Sequence, residues 1–306
     1  MLSKSEIHGV IKLCITETEF ESLNHIHTIT SLSAGLSNHN FLLEGDSKFV
    51  LRINSQQSSA ICDRDNEIEC WKAAEASGLA PNLLWVSTNR QYYLSEYCQP
   101  TSKNDVNVDG LHTLLTSLSR LAPPKKQLTT TKQWQIYRQQ IEQLENRLFT
   151  DTTANVYSRW SVMKSAIWDK QKQINTWLND IDSCVINPQY CHRDLSPDNI
   201  LLKNNKLICI DFEYSCASNP LFELASVIVN FELNKGAAQE LAHKYLTANP
   251  NVVANNYQQV TNAIAIFNIF YDCWVVLMAG NSLLANNDKI AIQQFEKYER
   301  LATKNG

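Results

Sequence analysis

The sequence predicts an α+β fold of two lobes, in which a small antiparallel-sheet lobe with one helix precedes a larger, mainly helical lobe. Short apolar runs separated by turn residues fill residues 25–97, whereas most of the chain beyond residue 108 shows apolar side chains at helical spacing. A polar stretch at residues 98–110 separates these two patterns and is suited to join the lobes. We therefore expect an N-terminal lobe over residues 1–97 and a C-terminal lobe over residues 98–306.

The strands of the first lobe follow from apolar runs and turn residues. Residues 25–53 predict strand, polar turn, strand, hairpin and strand, and "GDS" at 45–47 is the hairpin turn. Residues 63–77 predict a helix, because aspartates stand at its start and Gly78 follows its end. The runs "NLLWVS" and "QYYLSEY" predict two more strands.

The second lobe contains one hairpin among its helices. The runs "NILLK" and "KLICID" predict two short strands that turn over Asn204 and Asn205. Residues 263–280 are apolar enough to suggest a membrane span, but Asn268 and Asp272 near the middle would be costly in hydrocarbon. We therefore predict a buried helix there, and no membrane insertion.

Composition narrows the class of protein. With 44% hydrophobic and 19% charged residues the chain is typical of a globular protein, and its net charge of −4 argues against a nucleic-acid partner. Nine scattered cysteines without a C-x-x-C pair favour buried free thiols over disulfides or a zinc site. The N-terminus lacks a continuous apolar region, so we expect no export signal and a cytoplasmic location.

The segment "CHRDLSPDNILLKNNKLICIDFEY" (191–214) carries the chemistry. Asp194 and Asn199 stand five residues apart on a loop that enters the hairpin, and Asp211 follows its second strand. The hairpin brings Asn199 and Asp211 to one end as oxygen ligands that suit Mg²⁺. Asp194 beside them is placed to accept a proton from an attacking hydroxyl, as in the phosphoryl-transfer site of protein kinases. The prediction is therefore a protein-kinase-like fold that uses ATP and Mg²⁺.

The first lobe offers the partners that such a nucleotide site requires. Arg52 lies on the third strand, where a cation is needed, and Glu67 on the following helix is the acid to hold it, with Glu69 as second choice. Arginine replaces the expected lysine and binds phosphate bidentately. The turn "SAGLSNHN" at 33–40 has a single glycine, yet Ser37, Asn38 and backbone N–H groups are suited to contact phosphates.

These motifs resemble the aminoglycoside phosphotransferase/choline kinase superfamily, and within it the choline, ethanolamine and thiamine kinase branch. The resemblance spans roughly residues 28–235 and is carried most specifically by "HRDLSPDN" and "IDFEYSCASNPLFELA". It implies that Asp194 is the catalytic base and that Asn199 and Asp211 bind Mg²⁺. It further implies that Arg52 and Glu67 anchor phosphate, with Ser37 and Asn38 above it.

The resemblance also implies roles at the edges of the site. The strand end at Ser95, Glu96 and Tyr97 would hold adenine through backbone groups, and His192 would brace the catalytic loop. Tyr214 would lie beside the acceptor pocket, where an aromatic face attracts a quaternary ammonium or thiazolium group.

The identity of the acceptor stays open at this stage. Phe267, Phe270, Tyr271 and Trp274 form an aromatic cluster at helical spacing, which fits either a core or a cation cage. Where choline kinases carry an acid, this chain has Asn230, with Glu232 two residues further on. Either Glu232 takes over that role, or the acceptor is not choline.

Three readings follow from these observations. The first is a kinase that phosphorylates the hydroxyl of a small cationic metabolite, choline/ethanolamine- or thiamine-like. The alternatives are an aminoglycoside phosphotransferase and a non-catalytic, ATP-binding pseudokinase. A protein kinase is disfavoured, because no A-P-E segment is present and no long activation loop fits after Asp211. The sequence identifies no protein partner.

Overall fold

The chain folds into two compact units. One contains Met1–Lys126 and Tyr190–Cys216, and the other contains Gln127–Gln189 and Ala217–Gly306. The predicted catalytic hairpin thus groups with the N-terminal sheet, while the functional division between residues 97 and 98 stays a prediction. The computed structural model describes residues 4–18, 20–32, 38–55, 62–102, 105–253, 257–285 and 289–304.

Short strands are concentrated in the first unit, and long helices in the second. The strands are β1 (Thr28–Leu32), β2 (Asn38–Glu44), β3 (Lys48–Asn54), β4 (Leu83–Val86), β5 (Tyr92–Glu96), β6 (Gln99–Pro100), β7 (Gln189–Cys191), β8 (Ile200–Lys203), β9 (Lys206–Cys209) and β10 (Cys216–Ser218). The α-helices are α1 (Lys4–Thr18), α2 (Arg64–Ala76), α3 (Val108–Ser119), α4 (Thr130–Asp151), α5 (Ala154–Trp168), α6 (Gln171–Ser183), α7 (Pro220–Asn230), α8 (Lys235–Ala248), α9 (Tyr257–Ala285) and α10 (Lys289–Lys304). Single 3-10 turns cover Glu21–His25, Pro197–Asn199 and Phe212–Tyr214.

The sheet of the first unit has the predicted antiparallel form. Its five strands are ordered β1-β2-β3-β5-β4, so that β3, which carries Arg52, lies at the centre. The turn between β2 and β3 requires glycine at position 45, because a Cβ atom there would lie 2.0 Å from the carbonyl oxygen of His25. The tight turn at Gly45 therefore fixes the register of β3, the strand that carries Arg52.

Helix α1 was not assigned from the sequence, which predicted a single helix in this part of the chain. Its apolar side chains recur at three- and four-residue spacing and pack with the apolar side of the sheet. The shared core consists of Ile7, Val10, Ile11, Cys14, Leu23, Phe41, Leu43, Phe49, Leu51, Ile53, Trp85 and Leu94. The signal was thus present in the sequence, although exposed polar residues dominate the rest of the helix.

Helix α2 begins and ends where the sequence predicts. The Asp63 side chain caps its start by accepting the N–H of Asn66 at 3.1 Å. Gly78 adopts the left-handed conformation (φ 69°) past its end, and its N–H donates to the carbonyl of Glu75 at 2.9 Å. These two caps fix the rotation of the helix, which places Glu67 on its buried side.

The predicted hairpin over residues 200–209 is also present. Asn204 and Asn205 both have positive φ (52° and 60°), as a two-residue type I′ turn requires. The register pairs Ile200 with Cys209, and β6 adds a third strand next to β8. Part of the polar stretch predicted to join the lobes is therefore paired with this hairpin.

The second unit is built around α9, which packs against α4, α5, α6, α7 and α10. In the part of the chain that the structure describes, Tyr257–Leu284 is the one helical stretch long and apolar enough to cross a membrane, and 56% of its most apolar window is buried in the protein. Val260, Ile266 and Cys273 are fully buried along it. This burial agrees with the predicted core helix, and the absence of membrane insertion stays a prediction.

Candidate active site

The loop that leads into the hairpin holds Asp194 and Asn199 together. The side-chain NH₂ group of Asn199 donates to the Asp194 carboxylate at 3.0 Å and to the Asp194 main-chain carbonyl at 2.9 Å. Because both bonds use the amide nitrogen, Oδ1 of Asn199 is the atom suited to bind a cation. Asp194 is half-buried, so its carboxylate is both oriented and accessible.

Asp211 lies next to this pair through the backbone of the hairpin. The N–H of Ile210 donates to the carbonyl of Asn199 at 3.0 Å. Asp211, the next residue, therefore lies beside Asn199, where the strand pairing ends. Asp211 itself adopts a left-handed conformation (φ 68°), which is unfavourable for a non-glycine residue and frequent at functional sites. The structure therefore brings together the three residues that the sequence analysis selected for chemistry.

His192 is buried beneath this loop. Its Nδ1 accepts the N–H of Asp194 at 3.3 Å, and its ring packs against Phe212 with centroids 5.0 Å apart. Burial lowers the pKa of the imidazole to about 4, despite the opposing effects of the Asp211 carboxylate and of a hydrogen bond to the Ile210 carbonyl. A neutral, enclosed histidine suits the bracing role implied by the resemblance.

Arg52 on β3 forms an ion pair with Asp211 at this end of the hairpin. Its guanidinium lies 3.0 Å from Glu67, 3.1 Å from Asp211 and 3.3 Å from Glu213, and its Nε donates to Asn54 at 2.9 Å. Burial alone lowers the pKa of Arg52, but the three carboxylates outweigh it and the net pKa is raised. Arg52 is therefore permanently charged.

Glu67, rather than the exposed Glu69, is the acid that contacts Arg52. Its side chain is fully buried and also accepts hydrogen bonds from Tyr93 at 3.2 Å and Arg64 at 2.6 Å. Burial and the neighbouring Glu67 carboxylate raise the pKa of the Tyr93 hydroxyl, so that Tyr93 remains a donor. The role of the Arg52–Glu67 pair towards phosphate stays a prediction.

Arg64 and Glu213 belong to the same buried network and were not selected from the sequence. Glu213 lies 3.6 Å from Arg64 and accepts a hydrogen bond from the Asn38 side chain at 3.2 Å. The signal for Glu213 was its place in "IDFEY", directly after the predicted metal ligand, whereas Arg64 looks like an ordinary residue of a helix start.

Asn38, predicted to contact phosphate, has its side chain within this network. Its amide oxygen accepts from Arg64 at 3.4 Å, in addition to the bond that its NH₂ group makes with Glu213. The phosphate contact predicted for Asn38 stays a prediction. Ser37, the other residue predicted above the phosphates, lies outside the described residues.

The end of β5 that is predicted to hold adenine contacts the β8–β9 hairpin. The N–H of Glu96 donates to Asn82 at 3.0 Å and that of Tyr97 to Lys48 at 3.4 Å, while Lys203 of β8 contacts the Glu96 carboxylate at 2.7 Å. Adenine contacts at this end would therefore involve carbonyl groups or neighbouring N–H groups. The adenine role of Glu96 and Tyr97 stays a prediction.

The residues predicted to bind the acceptor fall into both units. Tyr214 in the first unit is 47% exposed. In the second unit Glu232 is exposed and has a positive φ (49°), because it follows α7 as part of the C-terminal turn of that helix. Trp274 on α9 has ring centroids 5.9 Å from both Tyr271 and Tyr298. Their binding roles stay predictions.

The aromatic cluster on α9 has two different sides. Phe267 and Phe270 both pack against Phe222, and Phe270 is buried, as expected of core residues. Tyr271 and Trp274 are half-buried and pack against each other, and Trp274 also packs against Tyr298 of α10. The second pair is therefore less enclosed than Phe270.

The donor atoms of the site fit a hard divalent cation. Asn199 Oδ1 and the Asp211 carboxylate, whose side chain is 27% exposed, are oxygen donors, which hard divalent cations prefer. In the described part of the chain no three His, Cys, Asp or Glu side chains form a metal-binding group. Two protein oxygens, completed by phosphates and water, are what Mg²⁺ commonly uses.

Comparisons with known proteins identify a family to which the chain is similar. The choline/ethanolamine kinase family model matches residues 29–298. The chain is 29% identical to protein LicA of Haemophilus influenzae over 246 residues, covering 78% of this chain and 69% of the relative. It is 21% identical to ethanolamine kinase 2 of Mus musculus over 273 residues, covering 81% and 68%.

Solved structures share the fold at low sequence identity. Choline kinase LicA from Streptococcus pneumoniae superposes with a TM-score of 0.67 at 16% identity, covering 98% of this chain and 99% of that one. The aminoglycoside phosphotransferase APH(2'')-Ib gives a TM-score of 0.63 at 14% identity, with 97% of each chain covered. The fold is thus protein-kinase-like, as predicted. Because the family model matches most of its length, the chain belongs to the choline/ethanolamine kinase family and is a phosphotransferase that acts on an alcohol group.

Proposed function

We propose that the protein is an ATP- and Mg²⁺-dependent kinase that phosphorylates the hydroxyl of a small cationic metabolite, choline/ethanolamine-like or thiamine-like. The observation that carries this proposal is the pairing of Asp194 with Asn199 beside Asp211. A half-buried carboxylate held by an amide is positioned to orient a hydroxyl and accept its proton. A magnesium ion bound to Asn199 and Asp211 would neutralise phosphate charge.

Arg52 supplies the protein's own positive charge next to these groups. Its guanidinium is held by Asn54, Glu67 and Glu213, and its further contact with Asp211 is the one that a metal ion on Asp211 would release. A preorganised cation stabilises charge that develops on the transferred phosphoryl group without reorganisation during the reaction. Arg52 would accordingly contact the nucleotide phosphates, with Glu67 holding it in place.

The cationic class of acceptor is supported by aromatic side chains. Trp274 with Tyr271 and Tyr298 offers half-buried ring faces, which attract quaternary ammonium groups by about 0.5–2 kcal/mol per well-placed ring. The names of the relatives, choline kinase and ethanolamine kinase, point to acceptors of this class. Aminoglycosides, as polycations, would call for an acidic surface instead.

An ADP-release assay over choline, ethanolamine, thiamine, sugars and aminoglycosides tests the proposal. We expect turnover with one of the first three, dependent on Mg²⁺, and a loss of about two to four orders of magnitude in kcat for Asp194→Asn. Preference for an aminoglycoside would replace the acceptor class. ATP binding without turnover of any alcohol would support the pseudokinase alternative, and full activity of folded Asp194→Asn would refute the mechanism.

A further inference from the structure

A charge-balanced group of side chains is buried in the first unit. Arg52, Arg64, Glu67 and Glu213 have side chains that are 8%, 7%, 0% and 3% exposed. Two guanidinium groups thus face two carboxylates away from water. We call these four side chains the buried quartet. Asp211 is the fifth charge in contact with it, and its side chain is 27% exposed.

The charges of the buried quartet cancel without Asp211. A buried carboxylate that loses its cation is strongly unfavourable, so the partners of Glu67 and Glu213 must stay in place while the site works. Asp211 can instead exchange Arg52 for a metal ion, because the exchange leaves no unpaired charge inside the quartet. Without Arg64, Arg52 alone would have to balance both Glu67 and Glu213. Glu213 would then compete with phosphate for Arg52.

Arg64 provides the second positive charge that this balance needs. Its Nη1 lies 2.6 Å from Glu67 and 3.6 Å from Glu213, so it contacts both carboxylates that also contact Arg52. Arg64 opens helix α2, where a positive charge is disfavoured by the helix dipole. Its position is therefore accounted for by the two acids rather than by the helix.

We infer that Arg64 is a positioning residue, which together with Glu213 keeps the quartet neutral so that Arg52 can turn from Asp211 to a nucleotide phosphate. The inference rests on the proposed function. Arg64 acts on the nucleotide through Arg52, because its Nη1 lies against Glu67 and Glu213, the two carboxylates that also hold Arg52. The balance makes an unusual prediction, because removing charges of opposite sign from the quartet should change nucleotide affinity in opposite directions.

The test compares Arg64→Gln, Glu213→Gln and the double variant by calorimetric titration with ADP and Mg²⁺. Arg64→Gln should weaken ADP binding at least tenfold, because the excess acids retain Arg52 and repel phosphate. Glu213→Gln should bind ADP at least as tightly as the unchanged protein. The double variant, with balance restored, should recover most of the loss. In turnover assays Arg64→Gln should raise KM for ATP and leave KM for the alcohol unchanged.

Controls separate this role from a general loss of structure. Arg138→Gln removes an arginine from a largely exposed pair with Glu142 and should leave ADP affinity unchanged. Arg64→Lys retains the charge and should stay within about threefold in affinity if Arg64→Gln fails to fold. Urea unfolding without nucleotide gives a second readout, in which the double variant should be more stable than the sum of the single effects predicts.

Several results would overturn the inference. These are a folded Arg64→Gln variant with unchanged ADP affinity, a loss of the same sign in both single variants, and a double variant no better than Arg64→Gln. If the unchanged protein and Arg64→Gln bind ADP equally well, this inference alone is overturned. An unchanged protein that binds no ADP removes the proposed function, and the inference with it.

Discussion

The imidazole of His192 donates a hydrogen bond from Nε2 to the carbonyl oxygen of Ile210 at 2.9 Å. Because the other ring nitrogen accepts the N–H of Asp194, one side chain joins the loop of the proposed base to the residue before the proposed metal ligand. The carbonyl oxygen of Ile210 can only accept a hydrogen bond, so Nε2 of the neutral His192 ring carries the proton and Nδ1 does not. The distance between Asp194 and Asp211 therefore depends on the His192 side chain.

Replacing His192 with leucine should lower turnover and stability together. The change keeps the volume roughly constant but leaves the Ile210 carbonyl and the Asp194 N–H without their partner, which costs about 1–3 kcal/mol for each buried group. We expect kcat to fall at least tenfold, with a lower urea midpoint. His192→Asn, which keeps one donor and one acceptor, should lose less. Unchanged kcat in His192→Leu would show that this bridge is not needed to position Asp194.

Stability should also fall in acid because of the same histidine. The pKa of His192 is about 4 in the folded protein and 6.5 when unperturbed, so the unfolded chain takes up a proton first as pH falls. The stabilisation is complete above pH 6.5 and is lost progressively down to about pH 4, by at most about 3 kcal/mol. Urea unfolding at pH 7, 5.5 and 4.5 measures it. His192→Asn should show a shallower decline, and an identical decline would assign the effect to other groups.

Local features of the sequence were sufficient to predict much of the fold. The Asn204–Asn205 turn, the Asp63 cap and the Gly78 stop each depend on neighbouring residues, and all three are present. The pairing of Asp194 with Asn199 follows from five residues of loop. Contacts between residues that are far apart in the sequence could not be predicted in this way.

The buried quartet illustrates that limit. Glu213 and Arg52 are 161 residues apart in the chain, and neither spacing nor periodicity indicates that they meet. No pattern in the sequence indicates a role for Arg64, because an arginine at a helix start is usually solvated. Its burial is evident only in the structure. Helix α1 was missed for a different reason, since its apolar stripe is narrow and interrupted by exposed residues.

Close packing of α9 makes Gly280 sensitive to any side chain. A Cβ atom there would lie 2.5 Å from Leu144 Cδ2 and 2.9 Å from Trp160 Nε1, the indole that donates to the Val276 carbonyl at 2.9 Å. Gly280→Ala should destabilise the protein by up to about 2 kcal/mol, because overpacking of about 1–3 kcal/mol outweighs a gain of about 0.5–1 kcal/mol in helix propensity. Urea unfolding is the measurement.

Gly9 in α1 is the matched control for Gly280. A Cβ atom at Gly9 would meet nothing within 4 Å, so Gly9→Ala should stabilise by about 0.5–1 kcal/mol through helix propensity alone. Equal effects of the two substitutions would contradict the packing of α9 described above.

Asp272 on α9 should destabilise the protein at neutral pH. Burial raises its pKa to about 6, only partly opposed by Lys170, and its Oδ1 atom is enclosed without a hydrogen-bond partner in the described part of the chain. A raised pKa means that the folded state binds the proton more tightly, so the associated stability is complete below about pH 3.8 and is lost as pH rises through about 6. Asp272→Asn should therefore be more stable at pH 7.5 by roughly 1–2 kcal/mol, after allowance for partial exposure.

The gain from Asp272→Asn should shrink towards zero as the pH approaches 4, because the carboxyl group of the unchanged protein is then protonated. Urea midpoints at pH 7.5 and 4.5 measure both limits. Asp65→Asn, at a side chain that is 76% exposed and paired with Arg90 on the surface, is the control and should shift neither midpoint appreciably. A less stable Asp272→Asn at pH 7.5 would mean that the charged carboxylate is stabilised in the folded protein, and that the burial at this position does not carry the cost assigned to it.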